Sequence, residues 1–181
     1  MERCRMVFSG SGGQGVITAA VILAEAAVIV EGLNATQSQT YGAAARGGAT
    51  RTDIIISDAV IHYPKVIQPN VLVCLTQEAY GLYQGIIRPG ELLLSDPRFV
   101  MSEKKVDARQ IELPMYQAVM EKVGKPIVFN ICMLGALIKI TGLVKPDSIM
   151  SILEKRIPAG FVDMNRQALD LGMELAAEYA A

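Results

Sequence analysis

The sequence predicts an α/β fold of three layers, in which a mainly parallel sheet has helices on both faces. Short apolar runs rich in β-branched residues alternate along the chain with longer segments of helical periodicity, and this alternation is typical of parallel strands joined by helices. The chain has 181 residues, 51% of them hydrophobic, which is enough to bury a core without disulfide bonds. We therefore expect a single domain over residues 1–181.

Strands are predicted wherever a short apolar run ends at a turn signal. Residues 71–75 are apolar at every position, which is typical of a strand covered on both faces. A Ser-Asp-Ala turn follows residue 56, so residues 60–63 are expected to form a hairpin with residues 53–57 or a short adjoining strand. The predicted strands are residues 6–8, 53–57, 60–63, 71–75, 92–94 and 106–113.

Two segments near the N-terminus differ sharply in composition. Residues 14–31 are apolar on almost every face and end before Gly32, as expected of a buried helix terminated by a glycine. Residues 34–48 are polar, rich in small side chains and without periodicity. A connection of that length is unusual unless it has a function, so we expect a functional loop there.

The remaining helices are predicted from their start signals. Thr76 is the candidate N-cap of a helix over residues 76–85, since its hydroxyl can accept a bond from a free N–H group of the first turn. Further helices are expected to begin at Pro114, Pro126 and Pro146, because proline suits the first helical turn. A last helix over residues 162–179 is expected to bury Phe161, Met164, Ala168, Leu171 and Leu175.

Charge and cysteine content exclude several functional classes. With 17 basic and 18 acidic side chains the net charge is −1, which argues against nucleic-acid binding. Cys4, Cys74 and Cys132 are far apart, so they form neither a disulfide framework nor a zinc or iron–sulfur ligand set. His62 is the only histidine, and we expect it to be packed or hydrogen-bonded rather than catalytic or metal-binding.

The sequence gives no sign of a membrane or an export pathway. The longest apolar stretch, residues 16–30, contains Thr18 and Glu25 and falls short of the ~20 residues that a membrane span requires. The apolar part of the N-terminus is too short for a signal peptide. A cytoplasmic protein is therefore expected, and free thiols are consistent with a reducing compartment.

A glycine-rich loop is the strongest local motif. Gly10 to Gly15 read G-x-G-x-x-G between a predicted strand and a predicted helix, a pattern that lets the backbone approach a diphosphate at a helix N-terminus. The acidic residue that should hold a ribose would be Glu31, at the end of a helix instead of a strand. A tight turn at a subunit contact is therefore favoured over dinucleotide binding, and weak binding of an anion remains open.

A second motif, Arg46-Gly47-Gly48, precedes the predicted strand at residues 53–57. Its guanidinium is able to bind an anionic group while the glycines let the backbone come close. The alternative interpretation is a glycine turn with a surface arginine. We expect Tyr41, just upstream, either to stack against a partner or to lie in solvent. The chain has no G-x-S-x-G, P-loop or zinc-protease motif, so we assign neither catalytic nor metal-binding residues.

Several short motifs occur in a specific order along nearly the whole chain. They are Gly10-Ser11-Gly12-Gly13-Gln14-Gly15-Val16, Gln39-Thr40-Tyr41-Gly42 through Arg46-Gly47-Gly48, Ile111-Glu112-Leu113-Pro114, Asn130 with Leu134-Gly135-Ala136, and Asn165, Gln167 and Ala168 with Gly172. In this order they resemble the gamma subunit, or gamma domain, of the 2-oxoacid:ferredoxin oxidoreductases. The Tyr-Gly-x-x-x-Arg-Gly-Gly form is more similar to the 2-oxoglutarate members than to the pyruvate members.

The resemblance implies a Rossmann-like gamma domain within a larger enzyme. Such enzymes decarboxylate a 2-oxoacid, transfer the acyl group to coenzyme A and pass the electrons to ferredoxin. Thiamine diphosphate, magnesium and iron–sulfur clusters are then expected on partner subunits, named alpha, beta and a ferredoxin-like delta. Coenzyme A is a co-substrate of the complex, and the isolated chain is expected to be inactive and to self-associate, as a homodimer.

The resemblance also gives the two glycine motifs a shared role. Gly12, Gly13, Gln14 and Gly15, together with Arg46, Gly47 and Gly48, are expected at one edge of the sheet, facing the catalytic subunits or an anionic part of coenzyme A. Within the family, indolepyruvate, branched-chain oxoacids and pyruvate are the alternative substrates. A stand-alone dinucleotide-binding domain and a scaffold without a ligand are the alternatives from other classes.

Overall fold

A mixed, mostly parallel sheet lies at the centre of the computed structural model, which describes residues 3–40 and 49–180. Within these residues the sheet has six strands in the order β2-β3-β1-β4-β5-β6. Strand β3 runs antiparallel to both of its neighbours, whereas β1, β4, β5 and β6 are mutually parallel. The strands are β1 (Cys4–Gly10), β2 (Asn34–Thr40), β3 (Thr50–Ser57), β4 (Val71–Cys74), β5 (Leu92–Ser95) and β6 (Arg109–Glu112).

The helices lie unequally on the two faces of this sheet. The helices are α1 (Val16–Glu25), α2 (Gln77–Tyr83), α3 (Met115–Lys122), α4 (Phe129–Thr141), α5 (Pro146–Arg156) and α6 (Val162–Leu175). Buried residues of α1 and of α3 to α6 belong to one large core with the alternate strand residues Met6 and Phe8. The opposite face carries Val7 and a smaller core that includes Ala79 and Tyr80 of α2. The predicted three-layer α/β fold is confirmed.

The helix signals in the sequence are also largely confirmed. The Oγ1 of Thr76 accepts a bond from the N–H of Ala79 at 3.2 Å and so caps α2. Pro146 is the first residue of α5, Pro126 opens a short 3₁₀ turn that leads into α4, and Pro114 is the N-cap of α3. Helix α1 continues through a π-helical segment, Ala26–Val30, and Gly32 follows it with a φ of 69°.

Two predictions about the connections were wrong. Residues 34–40, which were expected to begin a loop over residues 34–48, form β2. The prediction failed because an edge strand is half-exposed and therefore shows no apolar periodicity. Residues 60–63 lie in no strand, since the chain there runs through the long connection between β3 and β4. That connection is fixed by Asp53, whose carboxylate accepts the N–H of Val66 at 2.9 Å and pairs with Arg51 at 2.7 Å.

Three side chains expected inside the protein are more exposed than predicted. His62, expected to be packed or hydrogen-bonded, is exposed, so packing was the wrong expectation. Phe161 precedes α6 and is 53% exposed, whereas Ala168 and Leu171 are buried as predicted. Ile29, in the π-helical segment, is 62% exposed. Apolar character alone therefore overestimated burial at the ends of the first and last helices.

Glu31, which the glycine motif offered as a ribose ligand, has a structural contact. Its Oε1 accepts the N–H of Lys145 at 3.0 Å and the hydroxyl of Ser148 at 2.6 Å. These two bonds lower the pKa of the Glu31 carboxyl below its usual value. The carboxylate therefore ties the end of the π-helical segment to the start of α5, where the helix dipole stabilises a negative charge.

Helices α4 and α6 cross at nearly direct backbone contact. A Cβ built on Gly172 would overlap the carbonyl oxygen of Cys132, and one built on Gly135 would overlap that of Leu169. Both positions at the crossing therefore require glycine, because there is no room for a side chain. No helix among residues 3–40 and 49–180 is long and apolar enough to cross a membrane.

We predict that Gly172→Ala lowers the free energy of unfolding by about 2 kcal/mol, because a methyl group forces the two helices apart. Chemical unfolding of the purified variant, followed by circular dichroism, measures the change. Gly81→Ala is the control, since Gly81 lies in α2 with no heavy atom within 4 Å of a built Cβ, and it should be neutral or stabilising by about 1 kcal/mol. Equal effects of the two changes would contradict the crossing argument.

Candidate glycine-loop site

The glycine motif lies at the carboxyl end of the central strand β1. Gly10 ends β1, and Gly15 is the N-cap of α1. Strand β1 pairs with β3 on one side and with β4 on the other, so chain connections leave this point in both directions across the sheet. In open α/β sheets, ligands bind at such a switch point outside the carboxyl ends of the strands.

Glycine is required at three positions of this loop, for two different reasons. Gly13 and Gly15 have φ angles of 91° and 71°, in the left-handed region that other residues rarely adopt. At Gly10 the limit is space, because a Cβ would lie 2.5 Å from Oε1 of Gln14 and 2.9 Å from Cγ2 of Val16. Nothing lies within 4 Å of a Cβ built on Gly12, which leaves its backbone accessible.

The side chain of Gln14 closes the loop from inside. Its Oε1 accepts the N–H of Ser11 at 2.8 Å, and its Nε2 donates to the carbonyl of Leu75 at 3.1 Å. Leu75 follows β4, and its own N–H donates to the carbonyl of Ser9 at 2.9 Å. The amide of Gln14 therefore joins the ends of two parallel strands. Gln14 would therefore affect ligand binding by holding the loop in shape rather than by contacting the ligand.

Asn130 supports the loop from below. This residue is near the start of α4, is 6% exposed, and donates from Nδ2 to the carbonyl of Gly15 at 3.2 Å. A Cβ on Gly15 would lie 2.5 Å from that same Nδ2, so the close approach itself requires glycine. Asn130 appeared in the sequence only as one of the family motifs, and no local signal linked it to the glycine loop 115 residues away.

A shallow cavity of about 350 Å³ borders the loop. Its lining includes Gly12, Gly13, the first turn of α1 at residues 16–18, and Thr50. Helix α1 has no side-chain cap, so N–H groups of its first turn have no intrahelical acceptor and are suited to an anion. No charged side chain belongs to the described lining, and Thr50 is a residue that the sequence did not single out.

The second predicted motif lies outside the described residues, because Arg46, Gly47 and Gly48 fall between Thr40 and Ala49. The described ends of this segment are informative. Thr40 is opposite Arg51, and Gly10 is opposite Thr50. Thr40 and Thr50, the strand residues that flank this segment, therefore lie at the same end of the sheet as the glycine loop.

Cys74 and Cys132 are buried thiols with raised pKa values. Burial raises the pKa of the Cys74 thiol to about 12 and is the main cause of a pKa of about 12 at Cys132. Both thiols are therefore protonated at neutral pH, whereas a nucleophilic cysteine reacts as a thiolate. In the described part of the chain, no group of three His, Cys, Asp or Glu side chains is placed to hold a metal ion.

Together these features define a Rossmann-like α/β domain, with a glycine loop and an uncapped helix N-terminus at the carboxyl end of its central strand. Comparisons with known proteins agree. A family model described as pyruvate ferredoxin/flavodoxin oxidoreductase matches residues 5–175. The chain belongs to this family, which confirms the resemblance seen in the sequence.

Individual relatives match over nearly the full chain. The 2-oxoglutarate synthase subunit KorC of Methanocaldococcus jannaschii is 41% identical over 172 residues, covering 94% of this chain and 92% of that protein. Pyruvate synthase subunit PorC of Methanothermobacter marburgensis is 33% identical over 175 residues, covering 92% and 94%. A solved oxoacid ferredoxin oxidoreductase gamma subunit from Geobacter sulfurreducens has a TM-score of 0.90 and 37% identity, with 100% of both chains covered.

We predict that Gln14→Glu lowers the free energy of unfolding at neutral pH by about 1–3 kcal/mol, because a carboxylate loses the donor and faces a carbonyl oxygen. Urea unfolding at pH 7 measures the loss.

The matched control is Gln77→Glu. Gln77 makes the same two kinds of bond, accepting from the N–H of Met101 at 2.7 Å and donating to the carbonyl of Met101 at 3.5 Å. Unlike Gln14, it is exposed, at the start of α2. The free energy of unfolding of Gln77→Glu should stay within about 0.5 kcal/mol of that of the unmodified chain. A loss as small at Gln14 would show that its two bonds do not hold the loop.

Proposed function

We propose that this chain is the gamma subunit of a multi-subunit 2-oxoacid:ferredoxin oxidoreductase that acts on 2-oxoglutarate. The proposal rests chiefly on the 41% identity to a 2-oxoglutarate synthase subunit over 94% of the chain. Identity to the pyruvate synthase subunit is lower, at 33%. The complex would convert the 2-oxoacid and coenzyme A to acyl-CoA and carbon dioxide, with the electron pair passing to ferredoxin.

The proposal places the reacting groups on partner subunits. Thiamine diphosphate, magnesium and the iron–sulfur clusters would be held by the alpha, beta and ferredoxin-like delta chains. The described residues of this chain do not fit an iron–sulfur cluster, since clusters require several cysteines close together and no group of three His, Cys, Asp or Glu side chains among these residues is placed to hold a metal ion. We therefore assign no step of the reaction to a metal or cluster on this chain.

The glycine loop is the part of this chain that we propose to meet coenzyme A. Its phosphates would be received by the N–H groups of the first turn of α1, beside the accessible backbone of Gly12. Arg46 precedes Thr50 of the cavity lining by four residues, a distance of at most about 14 Å along the chain. The guanidinium, with Gly47 and Gly48, is thus proposed to supply the positive charge that the described lining lacks.

The whole proposal is tested by anaerobic purification of the tagged chain from its native cell. We expect partner subunits containing thiamine and iron–sulfur clusters to co-purify, with reduction of a viologen dye that depends on both 2-oxoglutarate and coenzyme A. Parallel assays with pyruvate, indolepyruvate and branched-chain oxoacids define the substrate. A chain that elutes alone and binds NAD or FAD saturably would instead establish a dinucleotide-binding domain.

The role of the glycine loop is tested by Gly12→Asp in the purified complex. A carboxylate at this open position should repel the phosphates of coenzyme A and raise its KM by about tenfold, with the KM for the oxoacid unchanged.

Gly12→Asn is the control, because it has nearly the same shape without the charge. If Gly12→Asp and Gly12→Asn have the same KM for coenzyme A, the phosphates do not bind here. If the two differ only in the amount of assembled complex, the loop is a subunit contact.

A further inference from the structure

A second cavity, which we call the basic groove, lies at the opposite end of β1. Its volume is about 330 Å³, and its lining includes Arg3, Arg5, Lys65, Arg88, Tyr63 and Ile67. Arg5 is on β1 opposite Ile55 of β3, five residues before Gly10. Five residues of extended strand span roughly 17 Å, so a ligand held at the glycine loop leaves this groove free.

The three arginines of the basic groove, Arg3, Arg5 and Arg88, have no acidic partner among the described residues. No acidic side chain belongs to its described lining. Among the ion pairs of residues 3–40 and 49–180, none includes Arg3, Arg5 or Arg88. Arg3 instead donates to the carbonyl of Val60 at 2.9 Å. Guanidinium groups gathered in this way repel one another, and an anionic partner relieves that repulsion.

The shape of the groove is fixed by the rest of the fold. The β3–β4 connection, which supplies Tyr63, Lys65 and Ile67, is tied to β3 by the Asp53–Val66 bond at 2.9 Å and by the bond from Arg51 to the carbonyl of Val66 at 2.6 Å. The side chain of Asp53 is buried, with 3% exposed, and that of Arg51 is partly buried, with 19% exposed. The groove is therefore preformed, which lowers the entropic cost of binding.

The rim of the groove is apolar and open to solvent. Tyr63 and Ile67 of the lining are 62% and 75% exposed. Val60, whose carbonyl accepts the bond from Arg3, is 63% exposed. A small phosphorylated ligand would leave these side chains in water, whereas pockets for small molecules bury most of their ligand. Arginine and tyrosine beside exposed aliphatic groups are typical of protein interfaces. The combination favours a polypeptide that covers the rim and places carboxylates in the groove.

We propose that the basic groove binds an acidic segment of a partner subunit, whose carboxylates pair with Arg5 and Arg88 while its apolar side chains cover Tyr63 and Ile67. The inference relies on the proposed function in one respect, namely that partner subunits exist. It adds a docking surface at the end of the sheet opposite the glycine loop. Carboxylate–guanidinium pairs set the register of such an interface and accelerate its formation.

The test uses the complex assembled by co-expression of this chain with the other subunits, one of which carries a tag. Arg5→Glu combined with Arg88→Glu should reduce retention of this chain by about tenfold at about 0.05 M salt. The remaining retention should then depend little on salt, because the screened charge pairs are gone. Arg88→Glu alone leaves β1 untouched and should show the same change to a smaller degree.

The control is Lys104→Glu combined with Lys155→Glu, which makes the same change in net charge at two exposed positions outside the groove. It should behave like the unmodified chain. In the unmodified complex, a zero-length carbodiimide cross-linker should join Nζ of Lys65 to an Asp or Glu of a partner subunit. Mass spectrometry then identifies the acidic segment.

Two results would overturn the proposal. The first is retention of the Arg5→Glu, Arg88→Glu chain that equals the control at both low and high salt. The second is saturable binding of inorganic phosphate or coenzyme A by the groove, lost in the variant while assembly is unchanged, which would define a small-anion site. Viologen reduction by the unmodified complex is measured in parallel, so that a wrong functional proposal is recognised separately from a wrong docking surface.

Discussion

The glycine loop keeps its shape because two side-chain amides bond to its backbone from opposite sides. Gln14 joins the loop to the end of β4 through Leu75, and Asn130 holds the carbonyl of Gly15 from the start of α4. Helix α4 is in turn fixed by its close crossing with α6 at Gly172. The position of the loop therefore depends on a helix crossing far away in sequence, and the C-terminal helices are part of the site.

Much of the fold was predictable because it is determined by local patterns. The apolar run at residues 71–75 is a strand buried on both faces, and Thr76 caps the following helix, as predicted from short-range rules. The glycine motif was likewise placed correctly between a strand and a helix. In each case the deciding interactions lie within a few residues, where sequence patterns are informative.

Features that depend on distant contacts were missed or misinterpreted. Strand β2 is polar because its side chains are only half-covered at the sheet edge, so its pairing with β3 was invisible to hydrophobic periodicity. The connection after β3 takes its path from the buried Asp53 and the partly buried Arg51. Asp53 was predicted only as the first residue of a strand, and Arg51 lay outside that predicted strand. Asn130 lies beside Gly15 only through the packing of α4, and the basic groove combines residues from separate segments.

The division of the molecule into two ends agrees with the role proposed for this chain in a catalytic complex. Small, neutral side chains surround the glycine loop at one end of β1, and arginines surround the groove at the other. A ligand that enters and leaves needs an open backbone surface with modest charge, whereas a permanent neighbour is better fixed by several charge pairs and an apolar rim.

Because the central strand β1 is buried along most of its length, it links the two surfaces rigidly. Docking of a neighbour at the basic groove would then set the position of the glycine loop relative to that neighbour.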